Sequence, residues 1–265
     1  MTNSLMGRMA MLKDDFKFLG LTAMAAGYED KIREAETNNL SYHDFLKLLI
    51  EAEVKEKIER SIQGKIKQAK FGKIKTIDTF DFNWPASIPI KKIKGFLDLK
   101  FIERRENIIF IGPVSLGKSH LAKAIGYLAA LSRISTRYTK AIDMVNDLHA
   151  SESDSTFAKK MKAYLGPDLL IIDELNFLPL GKKGGDYLFQ IIDKRYEEGS
   201  IILTSNLPFK DWSEIFEDNI KTNAAIERLA HHGELIVIKG ESYRLKDKKK
   251  REIIQDLNKE PQDTK

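Results

Sequence analysis

Residues 112 to 119 read Gly-Pro-Val-Ser-Leu-Gly-Lys-Ser, directly after the apolar run Asn107 to Ile111 and directly before the helix-like pattern HLAKAIGYLA. That is the G-x-x-x-x-G-K-[ST] spacing in its strand, loop, helix setting. No other feature narrows the fold as much, because such a loop works only where a strand delivers it to a helix N-terminus. There, successive backbone N–H groups converge on phosphate oxygens and the helix dipole adds positive potential. Gly112, Pro113, Val114, Ser115, Leu116, Gly117, Lys118, Ser119 and the following His120 are the expected nucleotide-binding residues. Lys118 neutralises the β- and γ-phosphates in this reading, Ser119 ligates Mg2+, and Gly117 supplies a backbone conformation closed to other residues.

Two more strand ends complete the chemistry expected of the loop. In DLLIIDEL, residues 168 to 175, an apolar strand ends in two adjacent carboxylates. Asp173 is placed to hold Mg2+ through its water shell, and Glu174 to orient and deprotonate an attacking water. In SIILTSNLP, residues 200 to 208, a second buried-type strand ends in small polar residues. The carboxyl ends of parallel strands open onto one crevice, so Asn206 is expected beside Glu174, positioning the same water. Together these residues describe nucleotide hydrolysis.

The surrounding pattern agrees with an α/β fold. Short β-branched runs at Asn107 to Ile111, Arg133 to Thr139, Asp168 to Asp173, Ser200 to Ser205 and Glu234 to Ile238 alternate with helical stretches, which predicts a parallel sheet covered on both faces. Before it, from Met9 to about Lys70, apolar residues recur at three and four and predict an α-helical N-terminal region. Ser41 opens the longest helix with Asp44 three residues on, and Gly72 follows its end. The expected division is a helical region over 1–75, an aromatic, proline-bearing linker over 76–89, the nucleotide-binding core over 90–246 and a charged tail over 247–265.

Charge distribution points to a polyanionic partner. From Val54 to Lys75 stand eight basic residues against two acidic ones. Lys55, Lys57, Arg60, Lys65, Lys67, Lys70 and Lys73 are the expected contacts to the phosphates of double-stranded DNA, which need no base reading. The chain has no cysteine, which fits a reducing compartment. Nor does any segment approach the roughly 18 uncharged apolar residues of a membrane span, so a cytoplasmic protein without a membrane partner is expected.

The stretches GKSHLAKAIG, DLLIIDELNFLPL, LFQIIDKRYEEGSIILTSNLPFKDW, AAIERLAHHGELIVIKGESYRL and LSYHDFLKLLIEAE resemble the IstB-like ATPases, helpers of bacterial insertion sequences and relatives of the DnaC helicase loaders in the AAA+ group. The resemblance covers roughly Leu12 to Leu245. It implies a P-loop AAA+ core with a five-stranded parallel sheet of order 5-1-4-3-2, ATP and Mg2+ as cofactors, and an ATP-dependent homo-oligomer on DNA. It also implies a transposase of the same element as partner. Lys118 and Ser119 match the Walker A positions, Asp173 and Glu174 the Walker B positions, and Asn206 sensor 1. Arg228 matches the arginine finger, with Arg195 as competitor, and Arg244 resembles the sensor 2 arginine.

Several alternatives stay open on sequence grounds. A DnaC-like loader of a replicative helicase shares the motifs and differs in its partner. A small-molecule kinase would carry an arginine-bearing lid and lack Glu174, a guanine switch would carry Asn-Lys-x-Asp, and a nucleotide-gated scaffold would turn over slowly. Ser115 replaces a glycine common in the family; if it must take a positive φ, the cost is about 1 kcal/mol and nucleotide affinity is expected to fall. His231 and His232 are expected to be structural, because neighbouring side chains on a helix diverge and no third metal ligand has suitable spacing. Phe80, Phe82 and Trp84 are expected to pack on the core rather than stack on adenine.

Overall fold

A computed structural model of the chain describes residues 11–84, 87–153, 155–175, 181–240 and 242–243. Close contacts divide the chain into two units, Met1–Gly64 and Lys65–Lys265. The first is helical, as the spacing predicts: residues 11–18 form α1, Thr22–Thr37 form α2, and α3 (Tyr42–Ala69) runs on into the second unit. Ser41 sets the start of α3. Its Oγ accepts from the Asp44 N–H at 3.1 Å, one half of a capping box, and donates to the Asp44 carboxylate at 2.6 Å. The helix ends where Lys70 takes a φ of 57°, with Gly72 at 63°. Within the first unit, the buried Glu53 carboxylate accepts from the N–H groups of Ala23 and Met24 at 2.8 and 3.1 Å, so α3 satisfies the orphan donors at the start of α2.

The second unit carries a five-stranded parallel sheet: β1 (Asn107–Ile111), β2 (Thr136–Lys140), β3 (Leu169–Leu175), β4 (Ser200–Ser205) and β5 (Gly233–Val237). Their order, β2-β3-β4-β1-β5, is 5-1-4-3-2 counted from the other edge. Strand alternation divides the core in two. Ile108, Phe110, Ile171, Ile202 and Ile236 face one cluster with Leu121, Ile125 and Ala129 of α6 (Lys118–Leu131). Ile109, Leu170, Ile172 and Leu203 face the other, with Leu148 of α7 (Ala141–Ser153), Met161 of α8 (Phe157–Leu165), Leu188 of α9 (Gly181–Arg195) and Leu229 of α11 (Asn219–His231). The inner strands β1, β3 and β4 are covered on both faces, which is why they read as largely apolar runs. The short helices α4 (Ile90–Gly95) and α5 (Lys100–Glu103) lead into β1, and α10 (Ser213–Phe216) leads into α11.

Between α3 and α4, a 3-10 turn at Ile77–Thr79 precedes Phe80 and Phe82. Their rings lie 4.9 Å apart and pack against the α6 side of the core, and Phe80, with Trp84, also lines the cavity at the end of β1. Among the described residues no helix is long and apolar enough to cross a membrane.

Candidate nucleotide-binding site

β1 delivers residues 112–117 to the N-terminus of α6, and the loop curls around a cavity of about 790 Å³. Lys118, Ser119, His120, Asp173, Glu174 and Asn206 all line it, so one space collects residues from the carboxyl ends of β1, β3 and β4. Two glycines are indispensable to the shape. A Cβ on Gly112 would stand 2.1 Å from the Ile238 carbonyl oxygen, and Gly117, at φ 87°, would place one 2.5 Å from the Phe80 ring. Ser115 takes a φ of 64° and its carbonyl accepts from the Tyr243 N–H at 3.1 Å. The positive φ that the sequence raised as a condition is therefore present in the loop.

Lys118 is buried, its ammonium donating to the carbonyls of Gly112 and Pro113 at 2.6 Å each. Desolvation pulls its pKa down to about 8, and the charge of Asp173 opposes the shift. Asp173, only 1% exposed, accepts from Tyr138 Oη at 2.7 Å on one oxygen and from Thr204 Oγ1 on the other. Burial and the Asp173 charge together push the Tyr138 hydroxyl well above its ordinary pKa, so it stays a donor. His120 closes another wall, its Nε2 2.9 Å from the Thr76 carbonyl and its ring edge-on to Phe80. Burial lowers its pKa and the Thr76 carbonyl opposes that.

Glu174 owes its position to a break in the sheet. The β3–β4 register shifts between Ile172 and Leu175, and Glu174 takes a φ of 59°. Its N–H, lost to the ladder, donates to Thr204 Oγ1 at 3.0 Å, and such a bulge re-aims a side chain at the end of a strand. The carboxylate pairs with Lys140 Nζ at 2.7 Å, and this pairing raises the Lys140 pKa. Lys75, Lys118, Lys123 and Lys140 face the cavity against Asp81, Asp173 and Glu174, a balance suited to a polyphosphate.

Thr204, Tyr138 and Lys140 are the site residues that sequence reasoning missed. Nothing local marks them. Yet β2 neighbours β3 in the expected strand order, and Lys140 stands opposite Asp173 in the register, so their place at the strand ends follows once the order is used.

Among the described residues, neither Arg195 nor Arg228 lines the cavity. Arg228 lies on α11 with its Nε 2.9 Å from Asp193 and its guanidinium 5.5 Å from the Phe189 ring centre. Arg244 lies outside the described residues, although Tyr243 beside it lines the cavity. Arg195 is corrected from finger candidate to internal bolt: it is 2% exposed. Its guanidinium donates to the carbonyls of Tyr164, Leu165, Pro167, Asp168 and Ser200 at 2.9 to 3.2 Å. Burial lowers its pKa to about 10, and no neighbouring molecule can reach it.

The histidine pair is also corrected. His231 ends α11 and His232 leaves helical geometry (φ −116°, ψ 52°), so the rings converge to 4.1 Å between centres instead of diverging, and Glu197 approaches them. Of the basic run, Lys55, Lys57, Arg60, Lys65 and Lys67 ride on α3, and Lys70 and Lys73 follow it. Arg60 is engaged by Glu56 at 2.6 Å. Among the described residues Lys55, Lys65, Lys67, Lys70 and Lys73 make no ion pair.

The sequence profile of the IstB-like ATP binding proteins matches residues 14–251. The chain is 44% identical over 234 residues to the protein of insertion sequence IS5376 from Geobacillus stearothermophilus, covering 88% of this chain and 93% of that one. It is 33% identical over 226 residues to its counterpart in IS21 from Pseudomonas aeruginosa, covering 85% of each. Both relatives are named for ATP binding. Among solved structures, the DnaC helicase loader superimposes with a TM-score of 0.50 at 21% identity, over 57% of this chain and 88% of that one. AMPPCP-bound DnaA from Aquifex aeolicus gives 0.53 at 22% identity, over 71% and 57%. At those identities the likeness is one of fold.

Proposed function

The chain belongs to the family of IstB-like ATP-binding proteins, and from that premise we propose that it binds and hydrolyses ATP with Mg2+ while assembling on double-stranded DNA to serve transposition. One observation carries the chemical part: Lys118, Ser119, Asp173, Glu174 and Asn206, from three strand ends, line a single cavity. The residues present fit a nucleotide and its metal. A glycine-walled loop leaves no Cβ where backbone must come close, four lysines face the space, and the metal candidates are hard oxygen donors. Ser119 and Asp173 would hold Mg2+, which when bound screens the triphosphate charge.

The chain's own groups then have separable tasks. Lys118 exchanges the carbonyls of Gly112 and Pro113 for phosphate oxygens. Glu174, released from Lys140, takes the proton of the attacking water, and Asn206 orients that water. Arg228 serves as a finger toward a neighbouring copy only by giving up Asp193, which would tie hydrolysis to assembly. Arg244 is the candidate for a further arginine on the same nucleotide. Lys55, Lys57, Arg60, Lys65, Lys67, Lys70 and Lys73 contact DNA phosphates, and a transposase of the same element is the proposed protein partner.

The test is ATP turnover measured with and without duplex DNA, in the native protein and in Glu174→Gln. Turnover that rises with DNA and disappears in the variant is expected. Turnover indifferent to DNA but stimulated by a small hydroxyl compound would replace this reading with a kinase.

A further inference from the structure

A cluster unrelated to the nucleotide cavity lies where the turn after α9 meets the end of α11. Glu197 takes a φ of 60° in that turn and turns its carboxylate toward His232, whose Nε2 stands 3.2 Å from Glu197 Oε1. One ligand atom each from Glu197, His231 and His232 lie within 4.8 Å of one another. Tyr196 Oη is 2.8 Å from His231 Nδ1 and also hydrogen-bonds the Glu197 side chain.

We propose that Glu197, His231 and His232 form a surface site for a divalent transition-metal ion of the zinc class. Two imidazoles and a carboxylate are a donor set for borderline-soft cations, and Ca2+ or Mg2+ would instead require oxygens throughout. The geometry is close to that of a bound state: ligands about 2.0 Å from a tetrahedral ion stand about 3.3 Å apart, near the 3.2 Å between Glu197 and His232. Only His231 must close in, and the side chains of Glu197 and His232 are 61% and 42% exposed, free enough to follow. Tyr196 Oη bonds both His231 Nδ1 and Glu197, which holds two of the three ligands on one side of the cluster.

The position has a consequence. Asp193 and Glu197 on one side, and Arg228 and His232 on the other, make two successive rungs between the same two segments. An ion at the second rung pins the end of the helix that presents Arg228. Open coordination positions face solvent, where water or a side chain of another copy can complete the shell.

The experiment is a Zn2+ titration of chelator-treated full-length protein without nucleotide, read by competition with a chromogenic chelator, with Co2+ absorption as a second probe. One equivalent is expected, undisturbed by millimolar Mg2+ and by Asp173→Asn, which removes the competing metal candidate of the nucleotide site. Glu197→Gln should weaken binding at least tenfold and His232→Asn should abolish it. The Zn2+-dependent rise in melting temperature should vanish in the same variants, while their metal-free melting stays native. No stoichiometric binding, binding unchanged in folded Glu197→Gln, or loss in Asp173→Asn would each overturn the site.

Discussion

Replacing Arg195 by Met separates the two roles open to this residue. The guanidinium joins the end of α8 and the loop after it to the start of β4, with Nη1 serving the carbonyls of Tyr164, Leu165 and Pro167 and Nη2 those of Asp168 and Ser200. The Asp168 carbonyl also accepts from the Ser200 N–H at 3.0 Å and keeps a partner in the variant. A buried carbonyl stripped of its donor costs about 1–3 kcal/mol; of the three served by Nη1, that of Tyr164 is buried and those of Leu165 and Pro167 are partly so. Methionine offsets part of that, because burying a guanidinium carries a desolvation penalty of several kcal/mol. The net loss expected is about 3–5 kcal/mol, typical of removing one member of a buried charged network. At 2–4 °C per kcal/mol for a domain of this size, the melting temperature should fall by roughly 6–20 °C. Arg195 sits at the strand ends opposite the cavity, so nucleotide affinity measured well below the new melting point should stay within about twofold. Thermal denaturation and titration with a fluorescent ATP analogue measure the two quantities. Unchanged melting together with lost turnover would refute the argument and return Arg195 to the finger role.

Ser115→Gly should raise stability by only about 0.5 kcal/mol, since relief of the left-handed strain is opposed by the entropy glycine gains when unfolded. ATP binding should tighten in the variant, and a titration that shows no tightening would clear Ser115 of any cost to nucleotide affinity. Lys118, with its pKa lowered to about 8, should give ATP affinity that falls as pH rises through 8, with proton uptake on binding seen calorimetrically in buffers of different ionisation heat. The sign for stability is opposite: between about 8 and the ordinary value of 10.5 the unfolded chain holds more protons, so this lysine makes stability rise with pH. Lys118→Arg should abolish both effects, and their persistence would assign them to another group. Lys140→Gln should raise DNA-free ATP turnover about two- to fivefold, the most that a half-exposed ion pair of about 0.2–1 kcal/mol can restrain; a fall would make Lys140 a phosphate ligand instead.

The phosphate loop, the acidic strand end at Asp173 and Glu174, and the doubly covered sheet were all legible in the chain, because each follows from residues adjacent in sequence. A strand that is buried on both faces must be apolar throughout, and a loop that binds phosphate must place glycines where backbone comes close. β1 and β4 keep their expected limits for this reason, while β2 begins at Thr136 and not Arg133, which takes a φ of 64°.

Tertiary structure alone decided what distant side chains do for one another. Arg195 and Arg228 look alike in sequence, and only the fold buries one among carbonyls while leaving the other beside Asp193. Thr204 and Lys140 acquire their tasks because strand order sets β4 and β2 on either side of β3. The histidine pair, read as diverging on a regular helix, meets Glu197 because His232 falls just past the helix end. The physical reason is common to all of them: periodicity encodes which face a residue takes, and the partner on that face depends on how the elements are stacked.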